Sequence, residues 1–166
     1  MNGDTAEIAG VEVSFSQAFT MLPSPFDGLL TQLNYTYTYA RGTVFSDDDG
    51  VQIARRISLP NASKNTFNAV LGYEKGPISL RAAGTFRDKY LDEVGDSYET
   101  DRTVNQHFQL DLSAKYKLTD NIRLFADWVN VNNAKYFAYQ NLAGAKRVLQ
   151  YEEYGSTVKF GARVTF

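Results

Sequence analysis

One histidine occurs in the chain, His107, in the stretch His107-Phe108-Gln109-Leu110-Asp111-Leu112-Ser113. A serine–histidine–aspartate relay needs its side chains within hydrogen-bond reach of one another. In an extended segment His107, Gln109, Asp111 and Ser113 share one face. At about 3.3 Å per residue, however, Ser113 lies too far along the strand to touch His107. A solvated histidine is expected, and no catalytic residue is assigned. The run Asp47-Asp48-Asp49-Gly50 clusters hard oxygen ligands but lacks the spaced ligands and distal glutamate of a calcium loop, so a hydrated loop tip is expected and no metal is predicted. Cysteine is absent, which removes thiol chemistry and Cys-based zinc sites. Arg55, Arg56, Lys146 and Arg147 stand in polar stretches where they meet either water or the phosphate or carboxylate groups of an anionic ligand. Nothing in the sequence points to a cofactor.

The elements that carry these residues follow from periodicity. In 166 residues the mean hydropathy is −0.35 and no apolar run reaches the length of a membrane-spanning helix. The net charge of −2, with acids and bases mixed, leaves no basic surface for nucleic acid. Tyrosine and phenylalanine supply eleven residues each, a composition that favours strands and membrane interfaces. Alternation of apolar and polar residues recurs about seven times, which is the signature of strands with two unlike faces. The runs are Val11–Thr20, Leu29–Tyr39, Lys64–Glu74, Ile78–Arg87, His107–Leu118, Ile122–Trp128 and Tyr154–Phe166. An all-β, antiparallel up-and-down meander is predicted.

Connections alternate in length, with short turns near 21–28, 75–77 and 119–121 and long polar loops near 45–62, 88–105 and 132–150. Transmembrane barrels show this asymmetry, with short periplasmic turns and longer outer loops. Aromatics then fall in two girdles: Tyr37, Tyr39, Phe67, Phe86, Phe108, Trp128 and Tyr154 toward the long loops, and Phe19, Tyr73, Tyr116 and Phe166 toward the short turns. Leucine, alanine and valine lie between them. The other face carries Arg81, Arg87, Asp111, Lys115, Arg123, Asp127, Lys159 and Arg163, which suits a wet or plugged lumen and opposes contact with lipid. A soluble antiparallel sandwich also alternates, but its strands are shorter and its loops less regular. Outer-membrane lipid is therefore the expected neighbour of the apolar face, and the loop cations face lipopolysaccharide phosphates, an anionic ligand or water.

Several segments resemble TonB-dependent outer-membrane receptors of proteobacteria. They are Gly10-Val11-Glu12-Val13, Leu33-Asn34-Tyr35-Thr36-Tyr37, the tract Leu59-Pro60 to Leu71, Arg87-Asp88-Lys89-Tyr90-Leu91, Asn130-Val131-Asn132-Asn133-Ala134-Lys135-Tyr136, and Gln150-Tyr151-Glu152-Glu153-Tyr154-Gly155 running to Phe166. Their order covers nearly the whole chain. The resemblance implies that residues 1–166 are the C-terminal portion of a large barrel of about 22 strands with a plugged lumen. It also implies energy-coupled uptake of a ligand such as a siderophore, cobalamin or oligosaccharide across the bacterial outer membrane. Plug, TonB box and signal peptide are not recognised in the sequence, so the chain is expected to begin inside a larger protein and to meet the TonB system only through the plug. Phe166, Val164, Phe160 and Tyr154 resemble the C-terminal signal read by the barrel-assembly machinery; lipid contact and girdle anchoring explain the same residues. A small complete porin-like barrel is the alternative, and an outer-membrane enzyme the least favoured one.

Overall fold

The computed structural model describes residues 3–48 and 51–166, and among them every regular element except one 3₁₀ turn is a strand. The strands are β1 (Gly3–Ala18), β2 (Leu29–Asp48), β3 (Val51–Ser58), β4 (Asn65–Lys75), β5 (Ile78–Arg87), β6 (Tyr90–Glu93), β7 (Arg102–Val104), β8 (His107–Lys117), β9 (Ile122–Val129), β10 (Lys135–Leu142), β11 (Ala145–Glu153) and β12 (Thr157–Val164). The main sheet has the order β1-β2-β4-β5-β8-β9-β12, with β3 paired to the outer part of β2. Every pair is antiparallel. The seven alternating runs therefore form one meander in chain order. Among the described residues its two edges, β1 and β12, do not pair with each other, and the sheet is open.

Register shows how the meander is staggered. One row perpendicular to the strands runs Ala18–Leu30–Gly72–Arg81–Ser113–Asp127–Lys159. It starts at the last residue of β1, on the short-turn side, and reaches β9 and β12 close to their opposite ends. Progressive stagger of this kind tilts strands relative to a barrel axis. The connections on the short-turn side are compact. Between β4 and β5, Lys75 pairs with Ile78 and the two-residue turn puts Gly76 at φ +57°, where a side chain would be strained.

Three corrections to the sequence reading concern the opposite end. The polar stretches 45–62 and 132–150 are largely paired strands, and 88–105, mostly irregular, carries the short strands β6 and β7. β2 continues past Tyr39 to Asp48 and pairs with β3, while β6, β7, β10 and β11 make a second sheet of order β11-β10-β7-β6. Their polarity hid a small core, in which Ile57, Leu91, Val104, Ala138 and Tyr139 are buried. The third correction is the last run: its strand begins at Thr157, and Tyr154 stands before it, next to Gly155 at φ +72°. A residue in that conformation interrupts the extended backbone that alternation requires.

Candidate functional site

The two faces of the main sheet separate by chemistry. Cross-strand partners share a face, and the register brings Val13, Tyr35, Phe67, Phe86 and Phe108 into one row. Phe67 and Phe86 stack with ring centroids 5.0 Å apart, and Phe108 lies 6.4 Å from Phe67. Tyr37, opposite Val11, and Tyr39, opposite Ala9, extend the same face outward. Toward the short turns that face carries Leu29 opposite Tyr73, Ile78 opposite Tyr116, and Tyr116 opposite Leu124. Trp128 stands between Leu112 and Val158, near the long-loop end of β9. In the last strand Phe160 and Val164 project from this face, Phe160 83% exposed, while Phe166 follows the strand and Tyr154 precedes it. The face as a whole leaves Val11, Phe15, Leu33, Leu71, Leu80, Leu112 and Val158 exposed, an apolar surface of the kind that marks a membrane or protein contact.

The opposite face is polar and only sparsely paired. Arg81 donates to Gln32 Oε1 at 3.2 Å. Asp111 accepts from the Gln109 side chain and from the Asn130 backbone N–H at 2.8 Å, which occupies it structurally. His107 lies opposite Arg87, and no hydrogen bond joins it to Asp111 or Ser113 among the described residues. The side chains of the Asp47–Gly50 cluster lie outside the described residues. Elsewhere among the described residues no three metal-ligating side chains converge.

The asparagine-rich segment after β9 explains how the chain leaves the sheet. Asn130 and Asn133 adopt positive φ, of 57° and 49°, a conformation asparagine tolerates better than most side chains. Asn132 replaces a strand: its side chain accepts from Leu110 N at 2.9 Å and donates to Phe108 O at 2.7 Å, satisfying β8 where β9 has ended. Asn130 holds the return of the chain by donating to Gly155 O at 2.9 Å.

Above the aromatic rows the outer hairpins pack as a folded cap. Arg55, read from sequence as a free cation, is only 5% exposed. It donates to both carboxylate oxygens of Asp101, at 3.0 and 3.1 Å, and to Gly95 O at 2.6 Å, with the Tyr98 ring 4.8 Å away. Arg55 is thus a structural tie between β3 and the β6–β7 segment, and the only one of the four cations withdrawn from ligands in this way. Arg56 bonds Glu7 and the Tyr39 hydroxyl, Lys146 lies 4.3 Å from the centre of the Tyr139 ring, and Arg147 is exposed. Arg102 joins Asp92 and Gln150, linking β6, β7 and β11. A hollow of about 560 Å³ opens among these hairpins, its wall carrying both cations and carboxylates, Arg41, Arg56 and Lys64 with Asp88 and Glu99, as well as the Tyr90 ring. Its size falls within the range of about 300–1,000 Å³ typical of small-ligand pockets. Burial pushes the Tyr90 hydroxyl pKa up, so it serves there as a neutral hydrogen-bonding group.

At the short-turn side Lys75 clamps the first turn, donating to Asp27 Oδ1 at 2.5 Å and Ser24 Oγ at 2.7 Å. The hydrogen bond from Lys75 holds the Asp27 carboxyl below its ordinary pKa. A carboxyl depressed in the folded state adds stability that is present above its unfolded pKa and lost as pH falls through the folded one. Protection of the turn amides against hydrogen exchange, taken relative to the intrinsic exchange rate at each pH, is therefore expected to fall in wild type as pH drops below the ordinary aspartate range. In Asp27→Asn the exchange should already be faster at neutral pH, without that acid-dependent step. Identical pH profiles for the two would refute the clamp.

One apolar face banded by aromatics, one charged face, staggered antiparallel strands, tight turns at one end and folded hairpins at the other define the wall of a transmembrane β-barrel. A family model described as TonB dependent receptor-like, beta-barrel, matches residues 1–134, and the chain belongs to that family. No curated protein and no solved structure matches it. Membership makes this a receptor barrel rather than a member of an enzyme family, and implies the bacterial outer membrane. The matched residues end before β10, while β12 beyond them keeps the same register on β9.

Proposed function

We propose that this chain is the C-terminal part of a TonB-dependent receptor barrel, supplying an arc of wall and three outer hairpins for energy-coupled uptake of a ligand. The observation that carries this reading is the continuous stagger of seven strands between two unpaired edges. Lipid does not tolerate open sheet edges, so β1 and β12 call for further strands on either side. The C-terminal placement rests on the likeness of the last strand to the final strand of these receptors. The cap hollow, whose wall mixes cations, carboxylates and tyrosines, suits a polar ligand rich in hydrogen-bonding groups, within the range of siderophores, cobalamin and oligosaccharides. The plug lies elsewhere in the receptor, and contact with the TonB system runs through it. Phe166, Val164, Phe160 and Tyr154 serve as the signal to the barrel-assembly machinery in addition to their lipid contacts.

The test is uptake of labelled ligand by cells carrying the receptor, with and without the proton-motive force. Replacing residues 88–105 by a two-residue turn should abolish ligand adsorption while leaving barrel in the membrane. Removing Phe166 should lower the amount of barrel reaching the membrane. Uptake that ignores the proton-motive force, or adsorption unaffected by loss of the hairpin, would be incompatible with the reading.

A further inference from the structure

The outermost strand of the cap, β11, is an open edge. Its sheet has the order β11-β10-β7-β6, and among the described residues β11 pairs only with β10. An unpaired edge is a template for another strand, and charges of one sign along it keep partners away. In β11 the charges are divided by sign: Lys146 and Arg147 stand in its first half, Glu152 and Glu153 in its last. Between them Val148 is 55% and Tyr151 51% exposed. Arg147 and Glu152 form no ion pair among the described residues, and Glu153 meets Lys135 at 3.4 Å.

The register on β10 fixes which residues share a face. Lys135 opposes Glu153, Phe137 opposes Tyr151, Tyr139 opposes Val148 and Asn141 opposes Lys146. Cross-strand partners share a face, and these β10 residues are spaced by two, so Lys146, Val148, Tyr151 and Glu153 lie on one face. Arg147, Gln150 and Glu152 lie on the other, opposite Gln140, Ala138 and Tyr136. Leu149 has no partner on β10 and is the extra residue of a bulge that sets this parity. Leu142 and Ala145 close a two-residue turn, and alternation from that turn aims the backbone groups of Lys146 and Val148 away from β10.

We propose that β11 pairs antiparallel with β11 of a second copy of this chain, about a twofold axis between Leu149 and Gln150. In that register Arg147 faces Glu152 of the second copy, Lys146 faces Glu153 and Val148 faces Tyr151, each pair on a shared face. The twofold repeats every contact, so four opposite-charge pairs and two pairs of exposed apolar side chains join the copies. A slip of one residue puts opposing residues on different faces. A slip of two carries the carboxylates past the cations, and parallel pairing sets cations beside cations.

The chain has no cysteine, so Leu149→Cys gives the full chain in detergent micelles a single thiol, with copper phenanthroline as oxidant. Leu149 and its twofold mate are offset by one residue across neighbouring strands, about 6 Å, which a disulfide spans, whereas Ala145 and its mate lie about 30 Å apart. Leu149→Cys should form linked dimer and Ala145→Cys almost none. Adding Arg147→Glu to Leu149→Cys sets like charges opposite each other twice and should cut the linked dimer about tenfold, and adding Glu152→Arg should do the same. Mixing these two charge variants makes both pairs opposite in sign again and should restore the linked dimer, which a variant with an unfolded hairpin would not do. Absence of linked dimer from Leu149→Cys, equal linking of Ala145→Cys, undiminished linking in the charge variants, or failure of the mixture to recover overturns the proposal.

Discussion

Arg55→Ala should destabilise the outer cap by about 3–5 kcal/mol, the cost of leaving a buried carboxylate without its partner. Asp101 is itself buried, and besides Arg55 it accepts only from Gly95 N, at 2.9 Å, among the described residues. The two Arg55 bonds to Asp101 and the third to Gly95 O link β3 to the segment between β6 and β7, so their loss frees residues 94–101, while β7 stays paired with β10. Limited proteolysis of that segment should become fast while the main sheet keeps its strand signal. A sharper result is expected for the double variant Arg55→Met with Asp101→Leu. Replacing both charges by apolar groups of similar volume removes the desolvation cost along with the attraction and should restore most of the stability. If the single alanine variant is as resistant to protease as wild type, the tie does not hold the cap. If the double variant is as labile as the single, the effect is one of packing and not of an uncompensated charge.

That tie also marks the limit of what was readable from the residues alone. The seven-strand meander was legible because one face had to be apolar over its full length: Phe108, Leu110, Leu112 and Ala114 alternate with Gln109, Asp111 and Ser113 without interruption. The face of the aromatics follows from that alternation, and the side of the short turns from the lengths of the connections. The outer strands obey no such rule. β10 mixes Phe137, Ala138 and Tyr139 in succession, and β3 places Arg55 in its core, so each looks like a polar loop until its partner is known. A buried salt bridge depends on residues 46 positions apart, and nothing local in Arg55-Arg56 distinguishes the buried arginine from the exposed one. Past Tyr39 the apolar parity of β2 switches, with Ala40 and Val44 now opposed to Arg41 and Thr43, and the extended chain there pairs with β3. Tyr154 failed for the opposite reason: its parity fits the last strand, but Gly155 at positive φ breaks the extended chain between them.

The largest effect on the membrane-spanning part should come from Leu112→Arg. Leu112 is exposed on the apolar face midway along β8, between Ala82 and Trp128. An arginine at the bilayer midplane of a barrel costs about 2–4 kcal/mol, and the same residue on the lumen side costs little. Ser113, the next residue, lies on the charged face between Arg81 and Asp127, where an added guanidinium meets a carboxylate as well as a cation. Urea unfolding in lipid vesicles should therefore show a large loss for Leu112→Arg and almost none for Ser113→Arg. Leu112→Trp separates lipid from a packed interior. Lipid chains rearrange around the larger ring at little cost, whereas a close-packed core is overfilled and loses about 1–3 kcal/mol. Near-wild-type stability of the tryptophan variant together with the arginine asymmetry fits a lipid-facing wall. A destabilised tryptophan variant, or equal losses for the two arginine variants, would mean that Leu112 faces protein, and the transmembrane assignment of the sheet would fail with it.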